Sequence, residues 1–131
     1  MHRAEFEREL QPLCLDQGIG VIPYSPLGAG FLTGKYRRDT PLPDSARAEG
    51  VWKRYMNEQG FTAVDKLEVI GRIHNATIAQ TAIAWVLANT AVTAAIIGAN
   101  TIDQLEETLQ GANVKLTPED KAALDETTAW Q

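Results

Sequence analysis

The chain has 131 residues and a mass of 14.3 kDa, room for one domain with its own core and no internal boundary. Its 17 acidic residues against 12 basic ones give a formal charge of −5, which offers no extended positive field to DNA or RNA. A single cysteine, Cys14, excludes an intrachain disulfide and points to a reducing, cytoplasmic setting, while no apolar run approaches the ~18 residues of a membrane span and the N-terminus does not read as a signal peptide.

Residues 4–17 place Phe6, Leu10, Leu13 and Cys14 at helical spacing, so an amphipathic helix is expected, closed by Gly18 as its C-terminal cap. Pro12 lies inside this pattern and, lacking an amide proton, should break the helix or start a new turn. Residues 19–22, rich in β-branched side chains and ended by Pro23, read as one buried strand of a parallel sheet. From residue 23 to residue 50, prolines and glycines break any periodicity, giving a long loop of the kind that binds or moves.

A short helix is expected around residues 52–58. Thr62 is the expected N-cap of a helix over 63–75, with Asp65 at the capping-box position and Val64, Leu67, Ile70 and Ile73 following at threes. Thr77 and Gln80 form another capping box, and Ile78, Ala82, Trp85 and Val86 give that helix one apolar face as far as about residue 89. Residues 93–97 read as the second strand. Thr101 and Gln104 cap the next helix, with Leu105 and Leu109 on one side and Gly111 at its stop. The run Thr117-Pro118-Glu119-Asp120 opens the last helix with a hydroxyl cap and a proline at the first helical position.

Cys14 reads as a small buried hydrophobe and Trp52, Trp85 and Trp130 as packing residues. His74 reads as a helix-surface residue. His2 and His74 have no partners at ligand spacing, so no metal site is expected, and two histidines so placed build no Ser/His/Asp or Cys/His arrangement. The glycine-rich stretch from Ser25 to Gly34 runs into Lys35-Tyr36-Arg37-Arg38, three cations in four residues, which reads either as a phosphate loop or as a solvated basic turn. A P-loop needs glycine where Ala29 stands and Ser or Thr where Tyr36 stands. A dinucleotide fingerprint of the G-x-G-x-x-G type needs glycine where Thr33 stands, so both are excluded.

Tyr24-Ser25-Pro26-Leu27-Gly28 with Leu32-Thr33-Gly34-Lys35, and later Ile96-Ile97-Gly98-Ala99-Asn100 with Gln104 and Glu107, resemble the two cofactor-binding segments of the aldo-keto reductases. The resemblance implies an α/β fold, the C-terminal part of a (β/α)8 TIM barrel: strands seven and eight with flanking helices, an incomplete barrel beside the roughly 250 residues of a whole one. It implies binding of a nicotinamide dinucleotide, NADP(H) with NAD(H) as the alternative. Tyr24 would stack on the nicotinamide. Ser25, Leu27 and Gly28 would meet the pyrophosphate largely through backbone groups, with Pro26 and Gly30 in the same stretch and Lys35 adding charge. Gly98, Ala99, Asn100, Gln104 and Glu107 would surround the adenosine and its 2′-phosphate.

Two positions depart from the family pattern: Asn100 stands where many relatives carry arginine, and Thr108 replaces an asparagine suited to the adenine edge. The family's catalytic aspartate, tyrosine, lysine and histidine would all precede Met1, which itself reads as an internal methionine. No catalytic residue is therefore expected, and the isolated chain should be inactive. Two open parallel edges should recruit a second copy or a missing N-terminal half. The alternatives are a non-catalytic nucleotide-binding or assembly module, or a truncated fragment without a function of its own.

Overall fold

The computed structural model describes residues 3–129. Met1, His2, Trp130 and Gln131 lie outside them, and with them the expectations attached to His2 and Trp130. Helix α1 (Gln11–Asp16) continues from a π-helical stretch, Phe6–Leu10; of the two outcomes open at Pro12 the new turn holds, with the proline in the first turn of α1 and no break in the chain's helical course. The wide turn is the reason: Gln11 N–H bonds back five residues to the Phe6 carbonyl, and Pro12 falls near the start of α1, where its missing donor costs little. Gly18 closes the helix at φ 63°, and the Ile19 amide bonds the Cys14 carbonyl at 2.8 Å.

The two expected strands shrink to two isolated parallel bridges, Val21 with Val92 and Tyr24 with Ile96. The amides of Thr93 and Ile96 donate to the carbonyls of Val21 and Pro23 at 2.8 and 3.0 Å. Three steps on the first segment face four on the second, so one residue bulges out, and Pro23 has no amide to give back. A parallel pair without neighbours on either side has little else to extend it.

Helix α2 (Ala48–Tyr55) begins four residues earlier than expected, and α3 (Glu58–Ile73) follows almost at once. The cap of α3 is Asn57, whose side chain accepts the Gly60 amide at 2.8 Å. Thr62 lies inside the helix and donates its hydroxyl to the Glu58 carbonyl. Helix α4 (Ile78–Leu87) keeps the predicted box of Thr77 and Gln80 but is buried nearly all round, from Ile78 to Trp85, not on one face. Helix α5 (Ile102–Gln110) ends in a tight turn, Gly111–Asn113. Gly111 has ordinary helical dihedrals and is not a left-handed stop. A Cβ there would meet Ile83 Cβ at 2.8 Å, so the glycine serves the close approach of α5 to α4. Helix α6 (Pro118–Thr127) starts with a full box between Thr117 and Asp120.

The core joins Phe31, Leu32 and Tyr36 of the long loop to Val51, Val64, Leu67, Ala82, Trp85 and Leu124. Trp85 packs as expected, whereas Trp52 is 54% exposed and Cys14 only half-buried. His74 is no free surface residue: its Nε2 lies 2.7 Å from Asp120 Oδ2 and clasps the end of α3 to the start of α6. Away from the core, Leu10, Leu13, Ile19, Ile22 and Ile96 stay exposed, as do Ile102, Leu105 and Leu109 along α5. No helix among the described residues is long and apolar enough to cross a membrane.

Candidate functional site

The parallel pairing sends both glycine-bearing segments out of the same end of the bridged pair, since Tyr24 faces Ile96 two residues before Gly98. Tyr24 stands 84% exposed at that end. It lines a cleft of about 660 Å³ together with Ser25, Pro26, Gly28 and Ala29. The lining also includes Arg47, the residue before α2, Arg54 and Tyr55 of α2, and Trp85 and Val86 of α4. The floor comes from Arg3, Lys121 and Asp125.

The loop after Tyr24 is tightly wound. Ser25, Gly28 and Ala29 all have φ of 56° and Gly30 has 96°, so four of six residues take the left-handed region that side chains disfavour. Internal hydrogen bonds hold this shape. The Ser25 hydroxyl accepts the Ala29 amide at 3.2 Å and its carbonyl the Gly28 amide at 2.9 Å, while the Leu27 carbonyl accepts the amides of Gly30 and Leu32. The amide of Gly28, expected to meet the pyrophosphate, is thus bonded within the loop, as are those of Ala29 and Gly30. Phe31 fastens the coil to the core, stacking on Tyr55 with ring centres 5.8 Å apart.

The basic cluster is largely neutralised. Arg37 bonds Glu68 at 3.0 Å, and Arg38 bonds Asp65 at 2.6 Å and covers the Phe61 ring at 4.9 Å. Bonds from Arg37 and then Arg72 hold the Glu68 carboxyl below its usual range. Lys35 pairs with no carboxylate among the described residues; its ammonium sits 5.4 Å from the Tyr36 ring centre and folds across Gly30.

The second segment is open. Gly98, Ala99 and Asn100 are exposed, and a Cβ on Gly98 would meet nothing within 4 Å. Thr101 caps α5 by accepting the Gln104 amide, and the Gln104 side chain accepts the Asn100 amide at 3.0 Å, one residue beyond the usual box. The Glu107 carbonyl accepts Gln80 Nε2 at 3.2 Å, which ties α5 to α4. The structure therefore gathers Tyr24, Ser25, Pro26 and Gly28 around the cleft, and leaves Leu27, Gly30 and Lys35 of the same loop and Gly98, Ala99, Asn100, Gln104 and Glu107 outside its lining.

At the floor Asp125 accepts Trp85 Nε1 at 2.9 Å and pairs with Lys121 and Arg3. Burial pushes its carboxyl up, but the bonds from Lys121 and Trp85 outweigh that and hold it below the usual carboxylate value. Sequence reasoning missed this cluster and the two arginines of α2. Arg47 and Arg54 lie seven residues apart, two helical turns, a signal that becomes readable only once α2 is placed at its true start. No group of three or more metal-ligating side chains occurs among the described residues.

A family model for the aldo/keto reductases matches residues 1–129. The chain belongs to the aldo/keto reductase family. It is 34% identical over 117 residues to a probable aldo-keto reductase of Glycine max, covering 88% of this chain and 34% of that protein. It is 36% identical over 123 residues to an NADH-specific methylglyoxal reductase of Escherichia coli, covering 92% of this chain and 37% of that protein. The chain thus spans about a third of the length of these curated relatives. A solved glycerol dehydrogenase from Gluconobacter oxydans superposes with a TM-score of 0.78 at 29% identity, over 95% of this chain and 38% of that one. The helices and bridged segments therefore match a part of an aldo/keto reductase structure, and the family works with nicotinamide cofactors.

Proposed function

We propose that this chain is the cofactor-binding portion of an NAD(P)H-dependent carbonyl reductase, its two bridged segments corresponding to strands seven and eight of the barrel. The observation that carries the reading is Tyr24: a flat ring, 84% exposed, fixed at the end of a bridged segment above a cleft. Such a ring suits stacking on a nicotinamide. Ser25 supplies a hydroxyl to the pyrophosphate and Lys35 a cation that pairs with no carboxylate among the described residues, and Gly98 leaves open space for close approach at the adenosine end. The bound dinucleotide supplies the hydride; this chain's residues bind and orient it.

The preference between cofactors turns on the 2′ position. Asn100 is neutral there, and exposed Asp103, Glu106 and Glu107 follow it, so a 2′-phosphate meets no cation on this segment and NAD(H) binds at least as tightly as NADP(H). The Escherichia coli relative is likewise described as NADH-specific. The test is titration of the pure chain with NADH and NADPH. Tyr24→Ala should weaken NADH binding about tenfold or more, the loss of one aromatic contact of ~1.5 kcal/mol. Unchanged affinity in that variant would sink the reading. Carbonyl-dependent oxidation of either cofactor by the pure chain should be absent.

A second role follows from the apolar residues left in solvent. Ile22, inside the first bridged segment, and Ile102, at the start of α5, are 60% and 74% exposed, where further barrel strands or a second copy would pack. Light scattering of the pure chain should show concentration-dependent association. A strictly monomeric chain at high concentration would refute the assembly role.

A further inference from the structure

We propose that the outward face of α3 is a self-association surface, on which a second copy of this chain lays its own α3 antiparallel to the first. The proposal stands apart from the cofactor reading and uses a different surface from the one around Ile22 and Ile102.

Most exposed aliphatic side chains lie on or beside α1, the bridged segments and α5. Val69 and Ile73, 56% and 67% exposed, lie on α3 instead. The inner face of α3, through Val64, Leu67 and Ile70, is buried, and the helix contacts α4 and α6. At about 100° per residue, Val69 falls on the side of the helix away from Leu67, and Ile73 on the side away from Val64. This face is turned away from the molecule's own core, so packing that completes the core leaves it exposed. Thr62, Lys66, Val69 and Ile73 follow one another at spacings of four, three and four, the period of a seam between paired helices. Thr62 is exposed and Lys66 half-buried, and the lysine supplies a four-carbon apolar stem.

The charges beside the seam select the occupant and its direction. Asp65 and Arg72 stand seven residues apart on one flank. In an antiparallel pair Asp65 of each copy meets Arg72 of the other, whereas a parallel pair sets like charges against each other. Both have room for a second partner: the Asp65 side chain is 54% exposed beside Arg38, and that of Arg72 is 77% exposed beside Glu68. The face is thus complementary to itself about a two-fold axis, the commonest symmetry of soluble oligomers. In this register Ile73 of one copy faces Thr62 of the other, and Val69 faces Lys66. Two aliphatic side chains and a lysine stem per copy bury less than a standard interface, so the dimer is weak, with a Kd on the order of 100 μM.

Sedimentation equilibrium of the full chain up to about 1 mM, tenfold above that Kd, reads the association. Val69→Lys should weaken it by about tenfold or more, because each dimer then carries two added charges in the seam, and should leave the urea midpoint unchanged. Leu105→Lys, on α5, should leave the dimer as it is. The reverse pattern, association kept in Val69→Lys and lost in Leu105→Lys, would overturn the α3 surface and leave association beside the bridged pair standing. A chain that stays monomeric at about 1 mM would overturn both.

Direction is read by cross-linking in a Cys14→Ser background. Thr62→Cys and Ile73→Cys chains, mixed and treated with copper phenanthroline, should form a mixed disulfide, two thiols giving up two protons and two electrons to the oxidant. Each variant alone should stay uncross-linked, since its own two thiols lie eleven residues of rise apart, about 16 Å. Cross-linking of either variant with itself, and none in the mixture beyond that, would overturn the antiparallel pairing.

Discussion

Residues 24–36 and residues 96–107 leave the same end of one parallel pair, but the chain supports them very differently. The first segment is coiled by its own hydrogen bonds and fastened to the core through Phe31, Leu32 and Tyr36, each about 1% exposed. The second ends in open space at Gly98, and the helix that follows turns Ile102, Leu105 and Leu109 to solvent. One candidate segment is thus tied into the core by its own side chains, whereas the other leans on the Thr101 cap, the Gln104–Asn100 and Gln80–Glu107 bonds and the contact of Gly111 with Ile83 at the far end of α5. An anchored segment costs little to order when a ligand arrives; an open one must be ordered at that moment or by a packing partner.

The largest break in this contrast should come from Phe31→Ala. It removes a buried ring that touches Tyr36, Tyr55 and Phe61 and should cost about 3–5 kcal/mol in urea unfolding. The matching change on the open side, Leu109→Ala, should shift stability by under about 0.5 kcal/mol, because Leu109 is already exposed. Equal costs would show that α5 is packed in solution. Gly60→Ala comes next: its Cβ would fall 2.0 Å from the Tyr55 carbonyl and 3.1 Å from the Phe31 ring, forcing the α2–α3 corner apart. A loss of about 1–3 kcal/mol is expected, with weakened binding at the first segment.

The His74–Asp120 clasp gives a pH-dependent effect on the anchored side. Burial raises the Asp120 carboxyl, but the Thr117 amide, His74 and the Thr117 hydroxyl together outweigh it and hold the group below its ordinary 3.8. A carboxyl depressed by folding contributes stability at all pH values above its unfolded value, and that contribution is lost as pH falls through the folded one. The melting temperature should therefore drop below about pH 4, and Asp120→Asn should lower stability at neutral pH by roughly 1 kcal/mol while flattening the acid limb. An unchanged acid limb would show that the clasp does not form.

What could be read from the sequence follows how local each cause is. The box at Thr77 and the hydroxyl cap at Thr117 lie within four residues of what they cap; both form as read, and at Thr117 Asp120 completes a box as well. Thr62 and Asp65 mimic a cap, whereas the true cap of α3 is Asn57 with the Gly60 amide, five residues earlier. His74 meets Asp120 across 46 residues, and Trp85 meets Asp125 across 40, distances over which spacing carries no signal. The strands failed for the same reason, since a bulge and a missing neighbour belong to the pairing and not to either segment. The segment around Tyr24 was legible in its residues, but the inward turn of its amides was set by the left-handed coil from Ser25 to Gly30.

The smallest effect on stability should come from Gly98→Ala, and it is the sharpest test of the contrast. Gly34 has a steric reason for its identity, since a Cβ there would meet Ile78 Cδ1 at 2.5 Å with φ at 80°. Gly98 has neither a positive φ nor a neighbour within 4 Å, so nothing inside this chain requires glycine there. Alanine at 98 should leave the unfolding midpoint within about 0.5 kcal/mol of the parent. If a ligand backbone or sugar approaches that position closely, the same methyl group should weaken NADH binding measurably, a loss of affinity without a loss of fold. If both stability and NADH affinity stay level, the second segment takes no part in binding by this chain, and the site reduces to the anchored half around Tyr24.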